Sequence, residues 1–117
     1  MTEAVTHFEE LELSPEIMKA VERMGFREPT PVQALTIPPM LDGYDVIAKA
    51  PTGTGKTCAF GIPLLETIRP DCEDIQAVVV CPTRELCIQI TEELRQLAAF
   101  LPQIRIVSVY GGQPIAK

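Results

Sequence analysis

Apolar positions recur at helical spacing in two stretches of the chain. Ile17, Val21 and Met24 follow one another at i, i+4 and i+7 behind Ser14-Pro15-Glu16. Those three residues supply an N-cap, a proline suited to the first helical position and an acid near the positive helix end, and Gly25 stops the segment. A longer stripe of Leu86, Ile90, Leu94, Leu97 and Leu101 begins behind Pro82-Thr83. Thr30-Pro31 opens a further helical segment reaching Leu41, in which Pro38 and Pro39 predict a kink or a break, and Asp42-Gly43 reads as a turn. Another helical stretch is expected from 56 to about 68.

Three apolar runs, at 45–50, 77–81 and 104–110, are short and rich in β-branched residues, so they read as strands. Strands that are apolar throughout and alternate with helices predict an α/β fold: a parallel sheet flanked by helices and joined by right-handed crossovers. Only residues 113–117 follow the third run and its closing Gly111-Gly112, which leaves a three-stranded sheet with an unpaired edge and predicts an incomplete domain. The chain divides into a helical region, 1–42, and a strand-helix region, 43–117, with no repeat, low-complexity tract or linker.

Composition narrows the function classes. With 117 residues, 46% of them hydrophobic, the chain holds one domain or part of one and has apolar material for a core. Ten Lys+Arg against sixteen Asp+Glu give a net charge of −6, so bulk attraction to nucleic acid is absent and any such contact must be local. Residues 1–30 carry seven acids and three bases, so the acidic excess lies mostly ahead of the motifs below. The cysteines Cys58, Cys72, Cys81 and Cys87 form no Cys-x-x-Cys pair and have no histidine near them, which predicts free thiols in a reducing compartment. The acidic start and the lack of a long apolar run predict an intracellular, cytoplasmic protein without a membrane partner.

The strongest chemical signal is Ala50-Pro51-Thr52-Gly53-Thr54-Gly55-Lys56-Thr57, placed between an expected strand and an expected helix, the context of a P-loop. Its glycines let backbone N–H groups turn toward phosphate oxygens at a helix N-terminus. Lys56 can reach the β- and γ-phosphates, and Thr57 offers a hydroxyl to Mg²⁺. Ala50 stands where the pattern usually begins with glycine.

Phe8, then the run from Gly25 to Gln33 (GFREPTPVQ), then the P-loop, then Pro82-Thr83-Arg84-Glu85-Leu86, then Gly111-Gly112, resemble in order and spacing the opening motifs of the DEAD-box ATP-dependent RNA helicases. The resemblance covers essentially the whole chain. It implies the N-terminal portion of a RecA-like P-loop NTPase domain, with ATP and Mg²⁺ as cofactors and RNA as partner. It carries adenine-nucleotide binding onto Phe8, Arg27, Thr30, Gln33 and residues 50–57, with Lys56 and Thr57 as the catalytic pair and Thr57 facing the metal. It carries contact with the RNA backbone onto Pro82, Thr83, Arg84, Glu85, Gly111 and Gly112. Cys87 stands where the family commonly has alanine.

Several of these residues have a second reading in the sequence itself. A Gln33 amide matches adenine's N6 donor and N7 acceptor, yet Thr30-x-x-Gln33 also satisfies the capping-box pattern, and spacing alone leaves both standing. Phe8 can simply pack in a core. Thr83 can cap a helix while Arg84 pairs with an acid, and Gly111-Gly112 can be a plain turn.

No Asp-Glu-Ala-Asp segment, which in the family holds Mg²⁺ and positions water, occurs in the sequence. The second RecA-like domain, which in the family supplies arginine fingers, is also missing. The expected function is therefore the ATP-binding part of an RNA helicase, binding nucleotide without turnover. A stand-alone nucleotide-binding or interaction module is the alternative. A small-molecule P-loop kinase explains neither Gln33 nor the Arg84 motif.

Overall fold

The computed structural model describes residues 6–51 and 55–112. A short 3-10 turn, Phe8–Leu11, leads into four helices: α1 (Pro15–Arg23), α2 (Pro31–Leu41), α3 (Lys56–Thr67) and α4 (Arg84–Leu97). α2 packs along α3, α3 against α4, and α4 against α1. The core they enclose is built from Phe8, Leu11, Ile17, Val21, Ile37, Cys58, Ile62, Leu65, Leu94 and Leu97. α2 belongs to the region 1–42 and α3 to 43–117, so the two regions share this core.

The helix starts lie where their capping chemistry placed them. Pro15 and Pro31 each occupy a first helical position, and the Thr83 hydroxyl accepts from the Leu86 N–H at 3.1 Å. Ser14 occupies the N-cap position of α1 without capping it. Its N–H and hydroxyl instead donate to the two carboxylate oxygens of Glu66, at 3.1 and 2.6 Å, tying the head of α1 to the last turn of α3. α3 meets α4 at Gly61, where a Cβ would stand 2.8 Å from Leu94 Cδ2 and 3.0 Å from Leu97 Cδ1, so this close crossing depends on the missing side chain.

Two expectations are corrected. Of the kink or break expected at Pro38 and Pro39 the break does not occur, and α2 continues across them as one helix. Both prolines lie in its last turns, where each removes one donor. The strands expected at 45–50, 77–81 and 104–110 are not formed among the described residues. Residues 45–50, 77–81 and 105–109 make no backbone-to-backbone hydrogen bond there. Ile47 and Val80 are 98% and 89% exposed. A helix closes its hydrogen bonds within itself, whereas a strand requires a neighbouring backbone about 4.8 Å away, and these runs do not supply it to one another. The third run keeps a strand's period of two, with Ile104 and Ile106 against the core and Val107 and Val109 outward.

Among the described residues all four cysteines are free thiols, and no helix is long and apolar enough to cross a membrane. Cys58, in the first turn of α3, is buried, and that burial, followed by the charge of Glu93, pushes its thiol up from 9.0 to about 12. A thiol whose pKa rises on folding contributes stability below its unfolded value, and this contribution fades between about pH 9 and 12. Iodoacetamide at pH 8 is accordingly expected to modify the half-buried Cys72 and Cys87 while sparing Cys58 until the chain unfolds, as peptide mapping would read.

Candidate functional site

The P-loop lysine and threonine open α3. Gly55 is the N-cap, in the left-handed conformation at φ 82°, ψ 28°, and no side chain caps this helix. Lys56 is exposed and Thr57 half-buried. The head of α3 therefore presents backbone N–H groups, the positive end of a helix, an ammonium and a hydroxyl together, a donor set suited to phosphate. Thr52, Gly53 and Thr54 lie outside the described residues. Ala50 and Pro51 lead directly into this loop.

Gln33 is brought to the same place. It is 0% exposed, and its Nε2 donates to the Gly55 carbonyl at 3.1 Å. Its Oε1 accepts from the Thr30 N–H at 3.0 Å while its own N–H donates to Thr30 Oγ1 at 3.4 Å, so the capping box is formed. Thr36 adds a second tie between the helices, its hydroxyl donating to the carbonyls of Val32 and Ala59 at 2.7 and 3.4 Å. A Cβ on Gly55 would run into Gln33 Nε2 and stand 3.3 Å from Thr30 Oγ1. A side-chain amide has two acceptor sites and two donor hydrogens; the Thr30 and Gly55 bonds take one of each, leaving one of each for a ligand edge.

Phe8 and Arg27 meet elsewhere. Together with Met18, Val21, Gly25, Phe26 and the acids Glu9 and Glu22 they line a cavity of about 540 Å³ beside the 3-10 turn. Phe8 is 1% exposed and belongs to the core, whereas Arg27 is exposed. Phe26, absent from the sequence-derived set, shares this cavity, and its position directly before Arg27 was the available signal.

A second surface lies at the head of α4. Pro82, Thr83, Arg84 and Glu85 are exposed there, and Gly111-Gly112 forms an exposed turn. Thr83 caps the helix, but among the described residues no carboxylate lies within ion-pair distance of Arg84. Its guanidinium instead sits 5.6 Å from the centre of the Tyr110 ring and next to Gly112. The structure thus joins the two sequence motifs assigned to RNA. Tyr110, which ties them, carried no signal in the sequence, because the contact spans 26 positions.

No group of three His, Cys, Asp or Glu able to hold a metal occurs among the described residues. The Thr57 hydroxyl at the head of α3 would fit an ion delivered on phosphate oxygens better than one held by a protein cluster.

The chain is similar to known proteins over most of its length. It is 54% identical, over 113 residues, to the DEAD-box ATP-dependent RNA helicase CshA of Geobacillus kaustophilus, covering 97% of this chain and 24% of that protein. The RNA helicase Prp28 from Chaetomium thermophilum, solved bound to ADP, overlays with a TM-score of 0.88 and 37% identity, covering 98% of this chain and 29% of that one. S. cerevisiae Dbp5, solved bound to RNA and ADP BeF3, overlays with a TM-score of 0.77 and 34% identity over 81% of this chain and 25% of that one. The chain thus spans about a quarter of the length of these relatives, and its fold is part of their α/β, RecA-like P-loop architecture. The family model described as DEAD/DEAH box helicase matches residues 30–117, and the chain belongs to that family.

Proposed function

We propose that the chain is the ATP-binding part of an RNA helicase that couples ATP binding and hydrolysis to RNA unwinding or RNP remodelling, and that these 117 residues by themselves bind nucleotide without turnover. The observation that carries this reading is the uncapped head of α3, with Lys56 exposed and Gln33 bonded to the Gly55 carbonyl, so that an adenine-reading residue and a phosphate cradle adjoin. Lys56 and the first amides of α3 would hold the phosphates, and the Thr57 hydroxyl would be the protein's donor to Mg²⁺ carried by the nucleotide. When bound, Mg²⁺ offsets the phosphate charge. Gln33 reads adenine with its remaining donor and acceptor once its edge is uncovered. Phe8 and Arg27, which the family resemblance assigns to the nucleotide, line a separate cavity with Phe26 and the acids Glu9 and Glu22, and Phe8 serves there as core. Regions 1–42 and 43–117 serve as base-reading and phosphate-plus-RNA regions, and the four free thiols suit a reducing cytoplasm.

Pro82 to Glu85 and Gly111-Gly112 contact the RNA backbone, a mode that reads no base sequence. ATP hydrolysis requires a water-positioning acid and arginine fingers, and the absence of an Asp-Glu-Ala-Asp segment from the sequence supports binding without turnover.

Gln33→Ala separates the two roles of that side chain. Affinity for all triphosphates should fall, because the Gly55 carbonyl loses a partner, and affinity for ATP should fall further than that for GTP. Calorimetric titration with both nucleotides reads the difference. An equal loss for both, with a lower melting temperature, would leave Gln33 as a cap and strap only.

A further inference from the structure

Arg84 occupies a position that helix stability does not explain. It is the first residue of α4, where a cation opposes the positive end of the helix dipole, and Thr83 already supplies the cap. Among the described residues it has no carboxylate partner. It is nevertheless held in place. Its Cζ lies 5.6 Å from the centre of the Tyr110 ring. Gly112 also lies beside it, in the left-handed region at φ 88°, where a Cβ would stand 3.3, 3.8 and 3.9 Å from Arg84 Nη2, Cζ and Nη1. The guanidinium thus passes close to this glycine, and a Cβ there would press on it by a few tenths of an ångström.

We propose that Tyr110 is a positioning residue, whose ring, with the bare backbone of Gly112, holds the Arg84 guanidinium in the orientation that meets a nucleic-acid phosphate. A free arginine side chain samples many rotamers and loses that freedom when it binds; a ring beneath it removes part of the loss beforehand. The second glycine of the Gly111-Gly112 turn then has a function inside the protein, making room for the cation. This inference rests on the reading that the head of α4 contacts the RNA backbone.

The test compares the parent chain with Arg84→Ala, Tyr110→Phe, Tyr110→Leu and the Arg84→Ala/Tyr110→Leu double variant. Each is titrated against a fluorescein-labelled oligouridine, with melting temperature as the check on folding and the Arg84 side-chain NMR resonances as a second readout. Tyr110→Phe keeps the ring and should retain affinity and the ring-shifted Arg84 resonances. Tyr110→Leu keeps apolar bulk without a π-face and should weaken binding about two- to fivefold, the factor that a cation–π contact at an exposed site represents. The double variant should bind no more weakly than Arg84→Ala alone. If Arg84→Ala weakens binding while Tyr110→Leu does not, or if Tyr110→Leu weakens it equally without Arg84, the positioning role is overturned. Arg84→Ala equal to the parent, with Arg84 resonances still ring-shifted in the parent, would overturn the RNA reading beneath it. Loss of binding in Tyr110→Phe would trace the effect to the hydroxyl and likewise overturn the inference.

Discussion

Lys56→Ala is expected to lower affinity for both ATP and ADP by at least about tenfold, since a charge-assisted hydrogen bond to phosphate is worth roughly 1.5–3 kcal/mol. The lysine is exposed at the head of α3 and, among the described residues, pairs with no carboxylate. Its loss should therefore leave the fold unchanged, within about 0.5 kcal/mol for a surface substitution. Titration calorimetry gives the affinity and a thermal melt gives the stability. Equal nucleotide binding by variant and parent would remove the phosphate site from α3.

Gly55→Ala should damage both stability and binding. Its φ of 82° costs a residue with a Cβ about 1–2 kcal/mol. The new methyl also runs into Gln33 Nε2, with Gln33 Cδ at 3.2 Å and Thr30 Oγ1 at 3.3 Å, so the buried amide must shift and give up its bond to the Gly55 carbonyl, which costs about 1 kcal/mol more. The melting temperature is expected to fall by roughly 10 °C, with nucleotide affinity falling in parallel. Because Gln33 is the obstacle, a Gly55→Ala/Gln33→Ala double variant should recover part of the stability. A melting temperature unchanged in Gly55→Ala would show that the Gln33 strap does not hold the loop.

What was legible in the sequence follows the range of each interaction. Thr30, Thr83 and the prolines after Ser14 and Thr30 act on their own helices, and those helices begin where the residues predict. Ser14 reads as a cap from its neighbours, yet its bonds go to Glu66, 52 positions away, which no local pattern encodes. The strand runs fail for the opposite reason. Ile47, Val78, Val80, Val107 and Val109 have the right composition, but a strand exists only through a partner, and none is present among the described residues. Gln33 shows the intermediate case. Its spacing to Thr30 allowed the capping box, which forms, while its bond to Gly55 depends on α2 packing along α3. The core assignment of Phe8 was the plainer of its two readings, and its burial fits that reading.

The central claim is that these 117 residues hold nucleotide and do not consume it, because the groups that act on ground-state ATP are present and those that act in the transition state are not. Equilibrium dialysis of the purified chain against Mg-ATP, with and without single-stranded RNA, tests this most directly when the nucleotide on the protein side is identified by chromatography. Enrichment on the protein side is expected, recovered as intact ATP in both conditions and lost in Lys56→Ala. No enrichment at all, or RNA-dependent conversion to ADP that Lys56→Ala abolishes, would contradict it.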